Sequence, residues 1–371
     1  MAVTNIHRVA FIGTGIMGTP IAQHIMDHGY ELTVYNRTKQ KADELVEHGA
    51  TWADSAAAAA VDADVIFTMV GYPSDVEKTY LAQDGLLRAA KKGTWLIDLT
   101  TSSPQLARDI HAAAQELGLY AFDCPVTGGQ AGAQAGTLTG IAGISEGEAA
   151  PVAELLSCFT SRIFYFDGAG QGQVAKLCNQ VSLASCMVGM ADALALAQLG
   201  KLDCQKMVEM VDSGMGSSRA LHDFAPKILD GDYRPGFLSE HMRKDILLAL
   251  DEAEELDITL PGTEVAYTLY DMLCQINGSR LGTQAISLLY AEEADGVAAG
   301  LDWSNYKHEI DPREEACEKH NSKNSCECGD TTDDENSCDC STDTADASCD
   351  CDTDNASASR GCDTDNKSCD A

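Results

Sequence analysis

Basic residues are scarce in this chain. Lysine and arginine number 25 against 58 aspartates and glutamates over 371 residues, a formal net charge of −33. A surface so short of positive charge argues against nucleic acids and anionic membranes as partners, since both select basic faces. No apolar run approaches the roughly 20 residues of a membrane span, so no membrane partner is expected. The opening "MAVTNIHRVAFIG" carries no signal-peptide pattern and runs directly into a strand, which leads us to expect a cytoplasmic protein.

A second absence is local. From Glu314 to Ala371 there is no Val, Ile, Leu, Met, Phe, Tyr or Trp, with 17 acidic and four basic residues. Such a segment has no apolar surface to offset its ordering entropy, and the expectation is a disordered acidic tail. Nine of the 15 cysteines lie in it, six of them in the units "SCEC" (325–328) and "SCDC" (337–340 and 348–351). Paired thiols beside carboxylates could gather a soft metal such as zinc or copper(I). Their spacing matches no zinc ribbon or finger, so a solvating tail is the preferred reading and no metal site is assigned. The other six cysteines, scattered through apolar sequence, read as small reduced core residues.

What remains is a body of about 310 residues, long enough for two domains. Strand-like apolar runs ("RVAFIG", "ELTVYN", "DVIFTMV", "TWLIDLT", "AFDCPV") alternate with helical stretches, the signature of a parallel sheet covered on both faces. "GTLTGIAGI" and "SRIFYFD" are expected to complete that sheet. After Asp167 the pattern turns wholly helical, beginning with one long apolar helix over 171–199. A helix apolar all round suggests burial on several sides, including against a second subunit, so a homodimer or homotetramer is expected.

"FIGTGIMG" places Gly13, Gly15 and Gly18 in the spacing G-x-G-x-x-G, with Thr14, Ile16 and Met17 between them. The glycines permit a tight turn and close backbone approach, and the helix N-terminus then faces a pyrophosphate. The motif follows a strand and precedes a helix, the context that dinucleotide binding requires. The fold class is therefore α/β: a Rossmann-type doubly wound sheet over 1–167, an all-helical substrate and dimerisation domain over 168–313, and the acidic tail over 314–371. At the end of the second strand, where an acid would hold the ribose hydroxyls of NAD, the chain has Asn36, Arg37 and Thr38. With the carboxylate missing and a guanidinium fork present, NADP(H) is the preferred cofactor and NAD(H) the other candidate.

"GAGQGQVAKLCNQ" (168–180) sets Lys176 in an apolar helical run, with Asn179 one turn on. Burying an ammonium is costly unless something pairs with it. Either Lys176 reaches water along its stem, or it serves a cavity that needs a proton donor.

Together these stretches resemble the β-hydroxyacid dehydrogenase family, which includes 3-hydroxyisobutyrate dehydrogenase, tartronate semialdehyde (2-hydroxy-3-oxopropionate) reductase and the glyoxylate/succinic semialdehyde reductases. The likeness spans roughly residues 6–290. "DCPVTGGQAGAQAGTLT" is similar to the family's substrate loop, "GQGQVAKLCNQ" to its catalytic helix and "KDILLALDEAEELDITLP" to its K-D segment. The resemblance implies that Lys176 is the proton donor and Asn179 orients substrate. It implies that Thr127, Gly128 and Gly129 bind a substrate carboxylate, that Lys244 lies near the cofactor with Asp245 beside it, and that Met69, Val70 and Thr101 line the nicotinamide ribose. Cys124 and Thr127 depart from the usual alanine and serine. The expected activity interconverts a small 3-hydroxy acid and its semialdehyde with NADP(H). The alternatives are an NAD-preferring 3-hydroxyisobutyrate dehydrogenase and a metal-binding protein acting through its tail on a vestigial body.

Truncation after Pro312 is expected to leave melting temperature and turnover almost unchanged. Melting curves and activity assays of the two lengths check this, and stoichiometric zinc binding lost on truncation would establish the metal reading instead.

Overall fold

Six short strands form one parallel sheet: β1 (Arg8–Ile12), β2 (Glu31–Tyr35), β3 (Thr51–Trp52), β4 (Val65–Thr68), β5 (Trp95–Asp98) and β6 (Tyr120–Asp123). The computed structural model describes residues 6–306; the expected tail and its thiol pairs lie outside the described residues. Strand order is β3-β2-β1-β4-β5-β6, so the chain reverses direction across the sheet between β1 and β4. Phe11 on β1 is in register with Val34 on one side and Phe67 on the other. Strands buried on both faces read as continuous apolar runs; on one face Phe67 lies between Phe11 and Phe159, at ring-centroid distances of 6.0 and 5.6 Å. The opposite face packs Ile12, Ile66 and Leu96 with Tyr80.

The covering helices relevant to the site are α1 (Gly18–Asp27), α2 (Pro73–Leu81), α3 (Pro104–Glu116) and α4 (Gly129–Ala135). α3 shows why helices begin where they do: Ser103 Oγ accepts from Leu106 N–H, and Pro104 takes the first helical position, where its missing N–H costs nothing.

The expectation that "GTLTGIAGI" and "SRIFYFD" extend the main sheet is corrected. They form β8 (Leu138–Ala142) and β9 (Thr160–Tyr165), paired in parallel, and β8 also pairs antiparallel with β7 (Val126–Thr127). The chain passes from β6 to β7 through Pro125, which has no N–H for a ladder, and β8 meets that stretch through the Ile141 and Gly143 N–H groups on the Pro125 and Asp123 carbonyls (2.9 and 2.8 Å).

Beyond β9 the regular elements among the described residues are helical: α5 (Gln171–Leu199), α6 (Cys204–Asp212), α7 (Arg219–Leu229), α8 (Ser239–Glu255), α9 (Pro261–Gln275) and shorter helical segments. α5 contains an 18-residue window of mean hydropathy 1.5, long and apolar enough by composition to cross a membrane, which corrects the expectation that no such stretch exists. In the fold α5 is a core helix, its inward face closing on Met242, Ile246, Ala266 and Tyr270 of α8 and α9. The body cysteines are free thiols, but only Cys124 and Cys158 are buried; Cys178 is exposed, and Cys186, Cys204 and Cys274 are half-buried.

Candidate active site

The crevice at the carboxyl ends of β1 and β4 receives the glycine turn. Gly13 has φ +104°, and a Cβ there would overlap the Met69 carbonyl oxygen; one on Gly18 would overlap the carbonyl of Gly13. Gly15, by contrast, faces open space. α1 begins with no side-chain cap, which leaves the Gly18 N–H available to an anion; Thr19 N–H is taken by the Gly15 carbonyl (3.0 Å) and Pro20 has none. The Thr14 hydroxyl is buried with no partner. An orphaned donor, an open glycine and an uncapped ten-residue helix together fit a dinucleotide pyrophosphate. Ile16 is half-exposed at this mouth, and Met17 occupies the position before the helix.

Asn36 ties the turn to β2: its Oδ1 accepts from Thr14 N–H (3.1 Å) and its Nδ2 donates to the Thr38 carbonyl (2.8 Å). Arg37 is almost fully exposed, with its guanidinium 3.6 Å from Asp75 Oδ1. The sequence reading missed Asp75, a carboxylate delivered from the first turn of α2. Across the crevice, Val70 N–H donates to Thr100 Oγ1 (3.0 Å), and Met69 N–H to the Ile12 carbonyl. Asp98, buried beneath, accepts from Thr68 Oγ1 (2.7 Å) and Thr100 N–H (3.0 Å). Burial raises its carboxyl to about 6 despite those bonds.

α5 enters the site pinned at its start. Both Asp123 oxygens accept backbone N–H groups, from Gly170 and Gln173, each at 2.7 Å. Gln173 bridges to the strand ends, donating to the Thr100 carbonyl (2.8 Å) and accepting from Ser102 N–H (2.9 Å). Gly172 is required here because a Cβ would crowd Asp123 and the Ile141 carbonyl. Asp123→Asn keeps the shape but turns an NH2 toward a backbone N–H. The expected result is a loss of about 1–3 kcal/mol, seen as a lower urea midpoint at unchanged slope, together with slower turnover.

Lys176 lies one turn further along, 7% exposed, and among the described residues it makes no hydrogen bond. At that burial it is not a surface lysine. Desolvation lowers its ammonium to about 8, while Asp245 pulls upward and Lys244 pushes down. Lys244 Nζ donates to the Thr101 carbonyl (2.5 Å) and lies 3.0 Å from Asp245 Oδ1. Asp245 is 2% exposed, so this is no exposed helical charge pair. Its Oδ2 accepts from Gln180 Nε2 (2.6 Å), whose Oε1 accepts from Asn179 Nδ2 (2.8 Å). The structure thus gathers Lys176, Asn179, Lys244 and Thr101 around Asp245 and Gln180. The turn of Thr127, Gly128 (φ +128°) and Gly129 (φ +61°) opens α4; none of its hydrogen bonds reaches that group. Chemically, the group offers a desolvated proton donor next to the ends of β4 and β5.

Asp123, Gln173 and Gln180 escaped the sequence reading. The available signal was a polar stripe, Gln173–Lys176–Gln180, at helical spacing through an apolar helix.

A dinucleotide crevice facing a lysine in an apolar helix defines an NAD(P)-dependent dehydrogenase. Comparison with known proteins narrows this. Residues 8–168 match the model of the NAD binding domain of 6-phosphogluconate dehydrogenase, and residues 170–290 match that of the NAD-binding domain of NADP-dependent 3-hydroxyisobutyrate dehydrogenase. The uncharacterized oxidoreductase YkwC of Bacillus subtilis is 41% identical over 76% of this chain and 99% of its own. The probable 3-hydroxyisobutyrate dehydrogenase-like 1 of Arabidopsis thaliana is 38% identical over 78% of this chain and 87% of its own. The NAD-dependent L-serine dehydrogenase of Pseudomonas aeruginosa is also 38% identical, over 72% and 92%. The Mycobacterium tuberculosis 3-hydroxyisobutyrate dehydrogenase solved with L-serine superposes with a TM-score of 0.72 at 29% identity, over 77% of this chain and 100% of that one. The chain belongs to the 3-hydroxyisobutyrate dehydrogenase family.

Proposed function

We propose that the protein interconverts a small 3-hydroxy carboxylate and its semialdehyde, with NADP(H) preferred. The observation that carries this is Lys176, an ammonium buried without a hydrogen-bond partner where the catalytic helix meets the cofactor crevice. When bound, the nicotinamide supplies the hydride in reduction and takes it in oxidation. Gly13, Thr14, Gly15 and the start of α1 would hold its pyrophosphate, with Met69, Val70, Thr101 and Lys244 at the nicotinamide end. In reduction, Lys176 stabilises the negative charge growing on the carbonyl oxygen and gives that oxygen its proton; in oxidation, the neutral amine takes the proton back. Asn179 orients the substrate. The Thr127 hydroxyl and the N–H groups of Gly128 and Gly129 take its carboxylate, since consecutive N–H groups at a glycine turn form an anion nest. The L-serine named for two of the relatives supports a 3-hydroxy carboxylate.

NADP(H) is supported by the missing acid at the end of β2 and by Arg37. A second reading, NAD(H) preference, is favoured by Asp75, whose carboxylate already engages that guanidinium. Self-association is part of the proposal, supported by Leu196, Leu199, Leu202 and Met210, all well exposed around the end of α5 and on α6; light scattering tests it. A cytoplasmic site is supported by free thiols at all the described cysteines, and cell fractionation tests it. For the activity, NADPH and NADH oxidation is measured with glyoxylate and with succinic, tartronate and methylmalonate semialdehydes, and NADP+ reduction with L-serine. No turnover on any of them overturns the reading.

A further inference from the structure

Two amides and a carboxylate run in series beside Lys176, and hydrogen-bond polarity fixes every one of them. Asp245 Oδ2 can only accept, so Gln180 must present its NH2 there. That leaves Gln180 Oε1 as the group facing Asn179, so Asn179 must in turn donate from Nδ2. The Asn179 carbonyl is thereby kept free of the network. Gln180 is itself 1% exposed, and its side-chain hydrogen bonds among the described residues go to α5 and α8, including Met242 Sδ at 3.9 Å.

We propose that Gln180 is a positioning residue that locks the substrate-orienting amide of Asn179 and the carboxylate of Asp245 into one unit. The inference rests on the roles given above to Lys176 and Asn179. Among the described residues, the charged groups acting on Lys176 are Asp245 and Lys244, both from α8. The nearby carboxylate under the helix start, Asp123, has both oxygens committed to the N–H groups of Gly170 and Gln173. Asp245 Oδ1 receives no aligned hydrogen bond, only the ion pair with Lys244, so Gln180 supplies the one directional restraint on that carboxylate. Losing it frees Asp245 to turn relative to Lys176 and frees Asn179 to flip.

Three variants test this: Gln180→Leu, Asn179→Ala and the double. Gln180→Leu should raise substrate KM roughly 3- to 10-fold, as expected for one lost neutral hydrogen bond, with NADPH affinity unchanged. Because Gln180 acts through Asn179, the KM effect of the double should be well below the product of the two singles. Gln180→Met keeps the length of the side chain without its hydrogen bonds to Asn179 and Asp245 and guards against misfolding of the leucine variant. In both variants the released Asp245 turns from Lys176, and the Lys176 titration midpoint should fall by about half a pH unit or more. That midpoint is read without substrate, by NMR of protein carrying 13Cε-labelled lysine, with the signal assigned through Lys176→Arg. Multiplicative KM effects with an unmoved midpoint overturn the proposal while leaving the dehydrogenase reading standing. A moved midpoint in a protein that turns over none of the candidate substrates supports the lock and removes the dehydrogenase reading.

Discussion

Lys176→Ala is expected to lose turnover by roughly two to four orders of magnitude, the range that general acid catalysis supplies, while binding NADPH as the parent does. The cofactor turn at Gly13–Gly18 and Arg37 belong to the main sheet's crevice, so removing a side chain from α5 leaves them intact. Lys176→Arg should rescue poorly, because a guanidinium keeps the charge but does not release its proton near neutral pH. Asn179→Ala should be milder, since the acid stays in place. The pH dependence gives the sign of the chemistry. With its ammonium lowered to about 8 by burial, Lys176 carries its proton below that pH and loses it above. Reduction should therefore fall as pH rises through about 8, and oxidation should rise through the same range. Normal turnover in Lys176→Ala, or parallel profiles in the two directions, would sink the assignment.

Arg37→Asp is expected to shift the preference from NADPH toward NADH by roughly 10- to 100-fold in kcat/KM, the worth of one charge-assisted hydrogen bond exchanged for repulsion. Asp75 gives this experiment a second arm. Its carboxylate holds the guanidinium at 3.6 Å, so a 2′-phosphate must compete with it, and Asp75→Ala should strengthen NADPH binding. If the parent protein uses NADH as well as NADPH, the reading of Asn36-Arg37-Thr38 fails, and Asp75 becomes the residue that explains why.

Much of the fold was legible because its signals are local. The glycine spacing fixes the first turn, apolar runs mark the buried parallel strands, and α5 could be placed over 171–199 from composition alone. The misassigned strands show the limit. β8 and β9 have the same alternation wherever they pair, and which strand lies beside them is a tertiary matter. The two-residue β3 is too short to carry any period. At the site, Lys176 and Asn179 stood out as a polar pair in an apolar helix. Asp75 did not, because it meets Arg37 from 38 positions away. Asp123 was hidden differently: nothing in an apolar strand that ends in aspartate says that both its oxygens will cap a helix beginning 48 residues later.

The apolar girth of α5 also bears on how the protein is made. The ribosome delivers this 29-residue helix before α7, α8 and α9, the elements that cover it. At ordinary elongation rates, roughly 4–15 s pass between the appearance of Leu199 and that of Gln275. Throughout that interval the nascent chain displays a greasy rod with the hydropathy of a bilayer span, an obvious client for holdase chaperones. A translation product stopped near residue 200 would keep the glycine turn and the whole parallel sheet and still be lost to aggregates. Expression fragments of this enzyme should therefore end beyond Gln275 or before Gly168.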